Sequence, residues 1–274
     1  MPRDYDQLLN YVITTAAAAG DLALKLQAEG LDVTHKAGGS PVSNADLAVN
    51  AVLQDRLTTI EPSYAWLSEE SADKDDRQNN PFVWVVDPID GTRAFLREDD
   101  PNWCIGIALL EHGVPVLSVI HAPAHGETYS AIKGAGSFLN GEKLVSGDAE
   151  QITGCRMIGT AAMFSHPAWP EPWPDMVLAD PKPNATLYRM ALIARGAFDG
   201  TIALVNKSDW DLAPGALIVE EAGGVATTHI GETFQFNREI PAQRSLLCSG
   251  KRLHPLLIDR VKNVRLGDPN EPVA

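Results

Sequence analysis

Asp87 and Asp90 frame a proline in the segment Asp87-Pro88-Ile89-Asp90-Gly91-Thr92. Upstream stands the acidic pair Glu69-Glu70, and far downstream Asp211 follows Trp210. Acids that converge without matching bases need cations between them, and hard carboxylate oxygens of this kind select magnesium. The fixed φ of Pro88 helps turn the chain so that both flanking carboxylates face one point. The apolar run over residues 82–86 predicts a buried strand ending at this pair, with a short helix starting after Gly91. Free N–H groups at a helix start favour anions, and Gly91 lets the backbone approach one closely. Divalent cations beside such N–H groups suit a phosphate.

These blocks resemble the inositol monophosphatase superfamily. The resemblance rests on Glu69-Glu70, on the Asp87 to Thr92 segment, and on Trp210-Asp211 followed by Glu221-Ala222-Gly223-Gly224. A further segment, Ser40-Pro41-Val42-Ser43-Asn44-Ala45-Asp46, is similar to the family's N-terminal motif, so matches run in family order from about residue 36 to 224. The resemblance implies an α/β protein built as a layered αβαβα sandwich, with two N-terminal helices on a sheet. It implies a magnesium-dependent, lithium-sensitive phosphomonoesterase with two or three ions per site. One ion would be held by Glu69, Asp87 and the carbonyl of Ile89, and another by Asp87, Asp90 and Asp211, with Asp87 bridging. Asp46 and Lys36 correspond to positions near a third, loosely held ion, although Asp46 reads equally as a surface helix acid. Thr92 and Glu69 would activate the attacking water, with Asp90 part of the catalytic set. Gly91, Thr92 and Asp211 would contact substrate, Glu70 would stand behind Glu69, and no covalent intermediate is needed.

The substrate stays open at this point. Inositol monophosphates and 3′(2′),5′-bisphosphonucleotides such as adenosine 3′,5′-bisphosphate rank close together, with histidinol phosphate third. Inositol-selective relatives carry a glutamate shortly before the Trp-Asp block. Here residues 201–209 have none, while Lys207 could meet a second phosphate. An aspartate nucleophile of the haloacid-dehalogenase kind is disfavoured, because its acid partner follows two residues on rather than three. Some relatives also partner the transcription machinery, which is the non-enzymatic alternative. A homodimer is expected.

The net charge of −14 argues against nucleic-acid binding through a general basic field. No run approaches ~20 apolar residues, so no membrane span is expected. The first residues lack a basic segment followed by an apolar one, which disfavours a secretory signal. Three widely spaced cysteines suggest reduced thiols and a cytoplasmic location. His121 and His125 are separated by Pro123, which prevents a helical zinc pair.

The elements that must position the acids can be read from periodicity. Residues 4–28 predict an amphipathic helix interrupted at Gly20 and ended by Gly30. Asn44 is a candidate N-cap for a second helix to about residue 60, with Leu47, Val52, Leu53 and Leu57 inward. Residues 103–110, 115–121 and 127–132 predict antiparallel strands joined by tight turns, with another turn at Asn140-Gly141. A domain boundary is expected near residue 150, separating 1–150, which carries most of the acids, from 151–274, which supplies Asp211. The second half alternates: strands at 155–159, 201–205 and 245–248, helices at 186–196 and 211–223, and a terminal helix. Four prolines within residues 164–174 exclude regular structure there, leaving a loop over the site, at a subunit contact, or on plain surface. The polar tail after Leu266 is expected to fray.

Overall fold

The computed structural model describes residues 4–36, 38–73 and 76–266. The expectations for the extreme N-terminus and the tail after Leu266 fall largely or wholly outside these residues.

Helix α1 (Tyr5–Glu29) starts where the Asp4 carboxylate accepts from the Gln7 N–H. It runs straight through Gly20, which interrupts the apolar pattern but not the helix. A Cβ at Gly20 would meet Pro123 Cγ at 2.7 Å and His121 Cδ2 at 2.8 Å, so the glycine lets the helix lie close on the sheet. The hairpin β1 (Val33–His35) and β2 (Pro41–Ser43) leads into α2 (Asn44–Ile60). The N-cap is Ser43, not Asn44: Ser43 and Asp46 form a reciprocal capping box, while Asn44 Oδ1 accepts from the Asp32 N–H at 3.0 Å. The buried stripe of α2 is Ala45, Val49, Leu53 and Leu57. Leu47 lies two residues off that stripe, which turns it to the other side of the helix, and it is 53% exposed.

Strands β3 (Ala65–Ser68) and β4 (Phe82–Asp90) precede the single turn α3 (Thr92–Phe95). They are followed by β5 (Cys104–Glu111), β6 (Val114–Ala122), β7 (Glu127–Ile132), β8 (Gly136–Leu139) and β9 (Glu142–Lys143). These form a seven-stranded sheet in chain order. β3 pairs parallel with β4, and every later pair is antiparallel. β4 runs four residues beyond Val86, to Asp90, because its register against β5 shifts between Asp87 and Asp90. That irregularity accommodates Pro88, which has no N–H for the ladder.

The second half contains β10 (Arg156–Ile158), α4 (Ala161–Phe164), β11 (Val177–Leu178), α5 (Thr186–Ala194) and β12 (Gly200–Ala203). It continues with β13 (Lys207–Ser208), α6 (Ala213–Glu221), β14 (Gly224–Thr227), β15 (Ala242–Gln243), β16 (Leu246–Gly250) and α7 (His254–Val261). Five of these strands form a second sheet in the order β11-β10-β12-β16-β14.

Side-chain alternation shows the layers. On β4, Trp84 and Val86 face α1 and α2, while Val83 and Val85 join the core shared with α5 and α6. On β16, Leu246 and Cys248 join that same central core, while Leu247 turns to α7. The stack is therefore αβαβα. Helix α6 is buried from Ala213 through Val219, as a helix held between two sheets must be. It begins at Ala213, with Pro214 in its first turn, so Asp211 lies in the turn before the helix rather than inside it. The proline-rich loop packs on α7, with Phe164, Trp169 and Trp173 in edge contacts and the Arg260 guanidinium 4.9 Å from the Trp173 ring centre. Residue 150, the proposed division between 1–150 and 151–274, falls between the two sheets. Among the described residues no helix is long and apolar enough to cross a membrane.

Gly106 is opposite Asp87 on β5, and a Cβ there would overlap Leu187 Cδ1 and come within 3.3 Å of Pro214 Cγ. We expect Gly106→Ala to destabilise the protein by ~1–3 kcal/mol, by forcing α5 and α6 off the sheet. Urea unfolding checks this; an unchanged midpoint would contradict the packing described.

Candidate active site

The site is built around the irregular end of β4. Asp87 is buried, and its Oδ1 accepts from the Ile89 N–H at 3.1 Å across Pro88. Asp90 is also buried, and its Oδ2 accepts from the Leu187 N–H at 2.5 Å, at the start of α5. The Cys104 thiol lies 4.0 Å from the same oxygen. Asp211 arrives from the other half, with its Oδ2 accepting from the Ser208 N–H at 2.9 Å in the turn before α6. One oxygen each from Asp87, Asp90 and Asp211 lie within 4.8 Å of one another.

The electrostatic consequence is strong. Burial, and then the Asp211 charge, push the Asp90 carboxyl up to about 7. Burial, followed by the charges of Glu69, Asp90 and Asp211, drives Asp87 well above the usual carboxylate range. Among the described residues no lysine or arginine forms an ion pair with any of these three acids. An all-oxygen donor set with unbalanced negative charge fits hard divalent cations.

Glu69 follows β3 and stands at the edge of this group. Its Oε1 meets Lys36 Nζ at 2.9 Å, and Glu70 Oε1 meets the same ammonium at 2.6 Å. Burial raises Glu69, with the two Lys36 interactions opposing it. Burial pulls Lys36 down, but its bonds to Glu70 and Glu69 outweigh that and leave it above an ordinary lysine. Glu70 therefore shares the lysine rather than joining the three aspartates.

Asp46 is not a surface acid. It is 1% exposed, and its Oδ2 accepts from the Ser43 N–H at 2.7 Å and from Ser43 Oγ at 2.6 Å. Thr92 Oγ1 lies 3.4 Å from Asp46 Oδ1 and 3.2 Å from the buried Ile89 carbonyl. Gly91 has φ 90°, and a Cβ there would meet the Ala185 Cβ at 2.9 Å, so both conformation and space require glycine. Trp210 is half-buried against the central core. The sequence reading missed Ser43 and the Leu187 N–H. Ser43 was legible through its Ser-x-x-Asp spacing to Asp46, whereas the Leu187 N–H carries no local signal.

The family profile of the inositol monophosphatases matches residues 4–266. The chain belongs to the inositol monophosphatase family. It is accordingly a phosphatase acting on phosphomonoesters, in a family whose members depend on metal ions. A putative Nus factor SuhB from Neisseria meningitidis is 30% identical over 233 residues, covering 82% of this chain and 88% of the relative. A 3′(2′),5′-bisphosphate nucleotidase CysQ from Escherichia coli is 38% identical over 130 residues, covering 46% of this chain and 52% of the relative. A staphylococcal inositol monophosphatase-1, solved as an inhibitory complex soaked in lithium chloride, superposes with a TM-score of 0.83 at 21% identity, covering 99% of this chain and 100% of that one. These likenesses agree with the sandwich expected from the motifs.

The raised carboxyls have a signed consequence for the metal-free protein. Folded Asp90 keeps its proton up to about pH 7, while the unfolded chain releases it near pH ~4. The folded state thus binds more protons across that window, and stability falls as pH rises through it. Melting in chelator should drop between pH ~5 and ~7.5, and saturating magnesium should raise it more at the higher pH. A pH-independent melting temperature would contradict the assignment.

Proposed function

We propose that this phosphatase hydrolyses a small phosphate ester using magnesium held by Glu69, Asp87, Asp90, Asp211 and the Ile89 carbonyl, with water as the attacking group. The reading is carried by the convergence of Asp87, Asp90 and Asp211, from both halves of the chain, to within 4.8 Å. When bound, a pair of such ions neutralises phosphoryl charge, acidifies water and stabilises the leaving alkoxide.

The chain's own groups supply the rest. Thr92 Oγ1 can take a proton from the water while passing its own to Asp46, 3.4 Å away. Burial raises Asp46, which makes it a better acceptor than a solvated aspartate. Ser43 fixes that carboxylate with two bonds, so its orientation does not depend on substrate. Both Asp46 oxygens are therefore engaged, which favours this relay over direct ligation of a third ion. Lys36 steadies Glu69 at the rim, and the N–H groups of Gly91 and Thr92 would meet phosphate oxygens. The attack needs no enzyme nucleophile.

The candidate esters are of the inositol monophosphate type or 3′(2′),5′-bisphosphonucleotides, with histidinol phosphate after them. A cytoplasmic homodimer belongs to the same reading, and the buried free thiols Cys104, Cys155 and Cys248 suit a reducing compartment. The neisserial relative's name motivates a second, non-catalytic role beside the transcription machinery, testable by pull-down with the Asp90→Asn protein.

Phosphate release over an ester panel with magnesium tests the main reading. Asp90→Asn should lower kcat at least ~10²-fold by removing preorganised charge. Thr92→Ala should lower it by ~10²–10⁴-fold with little change in KM, as loss of a proton relay predicts. Lithium at millimolar concentration should inhibit. Wild-type turnover by Asp90→Asn in saturating magnesium would refute the assignment.

A further inference from the structure

A separate set of contacts joins the two halves behind Asp211. Arg77 opens the short helical turn Arg77–Asn79 between β3 and β4, so it belongs to the connection that has Glu69 at its start and leads to Asp87. It is 1% exposed, and a guanidinium so buried must place its donors on acceptors. Nε and Nη2 fork onto the two oxygens of Asp73, each at 2.8 Å. Two further bonds cross to the second half of the chain: Nη1 donates to Asn237 Oδ1, and Nη2 donates to the Arg238 carbonyl at 3.1 Å.

Asn237 passes this hold onward. Its backbone N–H donates to Asp209 Oδ2 at 2.8 Å, and Gln243 Nε2 donates to Asp209 Oδ1, also at 2.8 Å. The Asp209 N–H donates to the Pro241 carbonyl, and the Asp209 carbonyl accepts from the Ala213 N–H, both at 2.8 Å. Asp209 is fully buried, so it works as a peg between the 237–243 segment and the turn that carries Asp211. The peg matters because the bond from the Ser208 N–H to the Asp211 carboxylate lies within that same turn. Such a bond orients the carboxylate on the turn but does not fix the turn against β4, and the charges of Asp87 and Asp90 push Asp211 away. An outside contact has to resist that push, and the route from Arg77 through Asn237 to Asp209 supplies one.

We propose that Arg77, acting through Asn237 and Asp209, is a positioning residue that holds the Asp211 turn against the 69–87 connection, so that the ion-binding acids of the two halves meet at a fixed separation. The inference rests on the metal-dependent reading and concerns the same site. Arg77 touches neither ion nor ester in this scheme; it sets how tightly the ions are held. Asn237 is the link that can be cut cleanly. Its φ is 64°, in the left-handed region, which glycine adopts without strain. Asn237→Gly therefore keeps the backbone bond to Asp209 and removes only the acceptor for Arg77. Asn237→Asp keeps an acceptor there and gives the guanidinium a charged one.

The test uses the full chain without substrate and titrates magnesium calorimetrically into wild type, Asn237→Gly, Asn237→Asp and Val261→Ala. Val261 is buried in the core under α7, so its truncation lowers stability without touching these contacts. Asn237→Gly should weaken magnesium binding by ~10-fold or more, in the range found when residues behind metal ligands are removed. Asn237→Asp should restore it to within ~2-fold of wild type, and Val261→Ala should leave it unchanged. Amide hydrogen exchange, followed by mass spectrometry on the metal-free proteins, should be faster over residues 207–213 in Asn237→Gly and return to the wild-type rate in Asn237→Asp. Equal magnesium affinity in wild type and Asn237→Gly, or an equal loss in Val261→Ala, would overturn the positioning role. If wild type itself binds no magnesium, the metal reading fails and exchange alone decides: local acceleration reversed by aspartate sustains the hold on the Asp211 turn, and an unchanged rate ends it.

Discussion

Asp87, Asp90 and Asp211 repel one another, and the fold holds one oxygen of each within 4.8 Å, with Asp87 and Asp90 buried and Asp211 half-buried. Burial drives Asp87 and Asp90 toward their neutral forms, and the neighbouring charges drive them further. The rest of the architecture can be understood as what keeps them there. The irregular end of β4 lets Asp87 and Asp90 point to one side around a proline. The Leu187 N–H, at the first turn of α5, donates to Asp90, and the adjacent Thr186 N–H also favours its charged form. Asp211 is held by the Ser208 N–H in the turn that launches α6.

Those contacts tie the site to the middle layer of the sandwich. Helices α5 and α6 fill the space between the two sheets and share one apolar core with both. Gly106, directly opposite Asp87, admits Leu187 and Pro214 where a side chain would exclude them. Gly91 does the same for Ala185. Glu221, at the end of α6, receives the N–H groups of Gly134 and Gly136 from the first sheet at 2.7 and 2.8 Å. The acidic cluster is therefore a product of the packing between halves, and neither half assembles it alone.

Around the cluster, charge is distributed in a graded way. Lys36 is shared by Glu69 and Glu70, so the outer acids are ion-paired, while among the described residues the inner three are not. Asp46 is held by two bonds from Ser43 and turned toward Thr92. The inner acids thus call for cations, which suits a metal-assisted reaction of a phosphate ester.

Local pattern determined much of this in advance. Helix α2 and the antiparallel strands β5 to β7 follow from apolar periodicity and turn residues, which depend only on near neighbours. The order of the acidic blocks was enough to point to the family and its sandwich. Tertiary structure decided what local pattern cannot carry. Asp46 reads as a surface acid along its helix, yet it is buried because α2 lies against the β4 end and Thr92. Leu47 reads as core but faces water, because only one stripe of the helix meets the sheet. Asp211 looked like a residue of the first helical turn and instead precedes it. The approach of the Leu187 N–H to Asp90 depends on how α5 is wedged between the sheets. Side-chain type and spacing are properties of the chain, whereas the convergence of groups a hundred residues apart is a property of its packing.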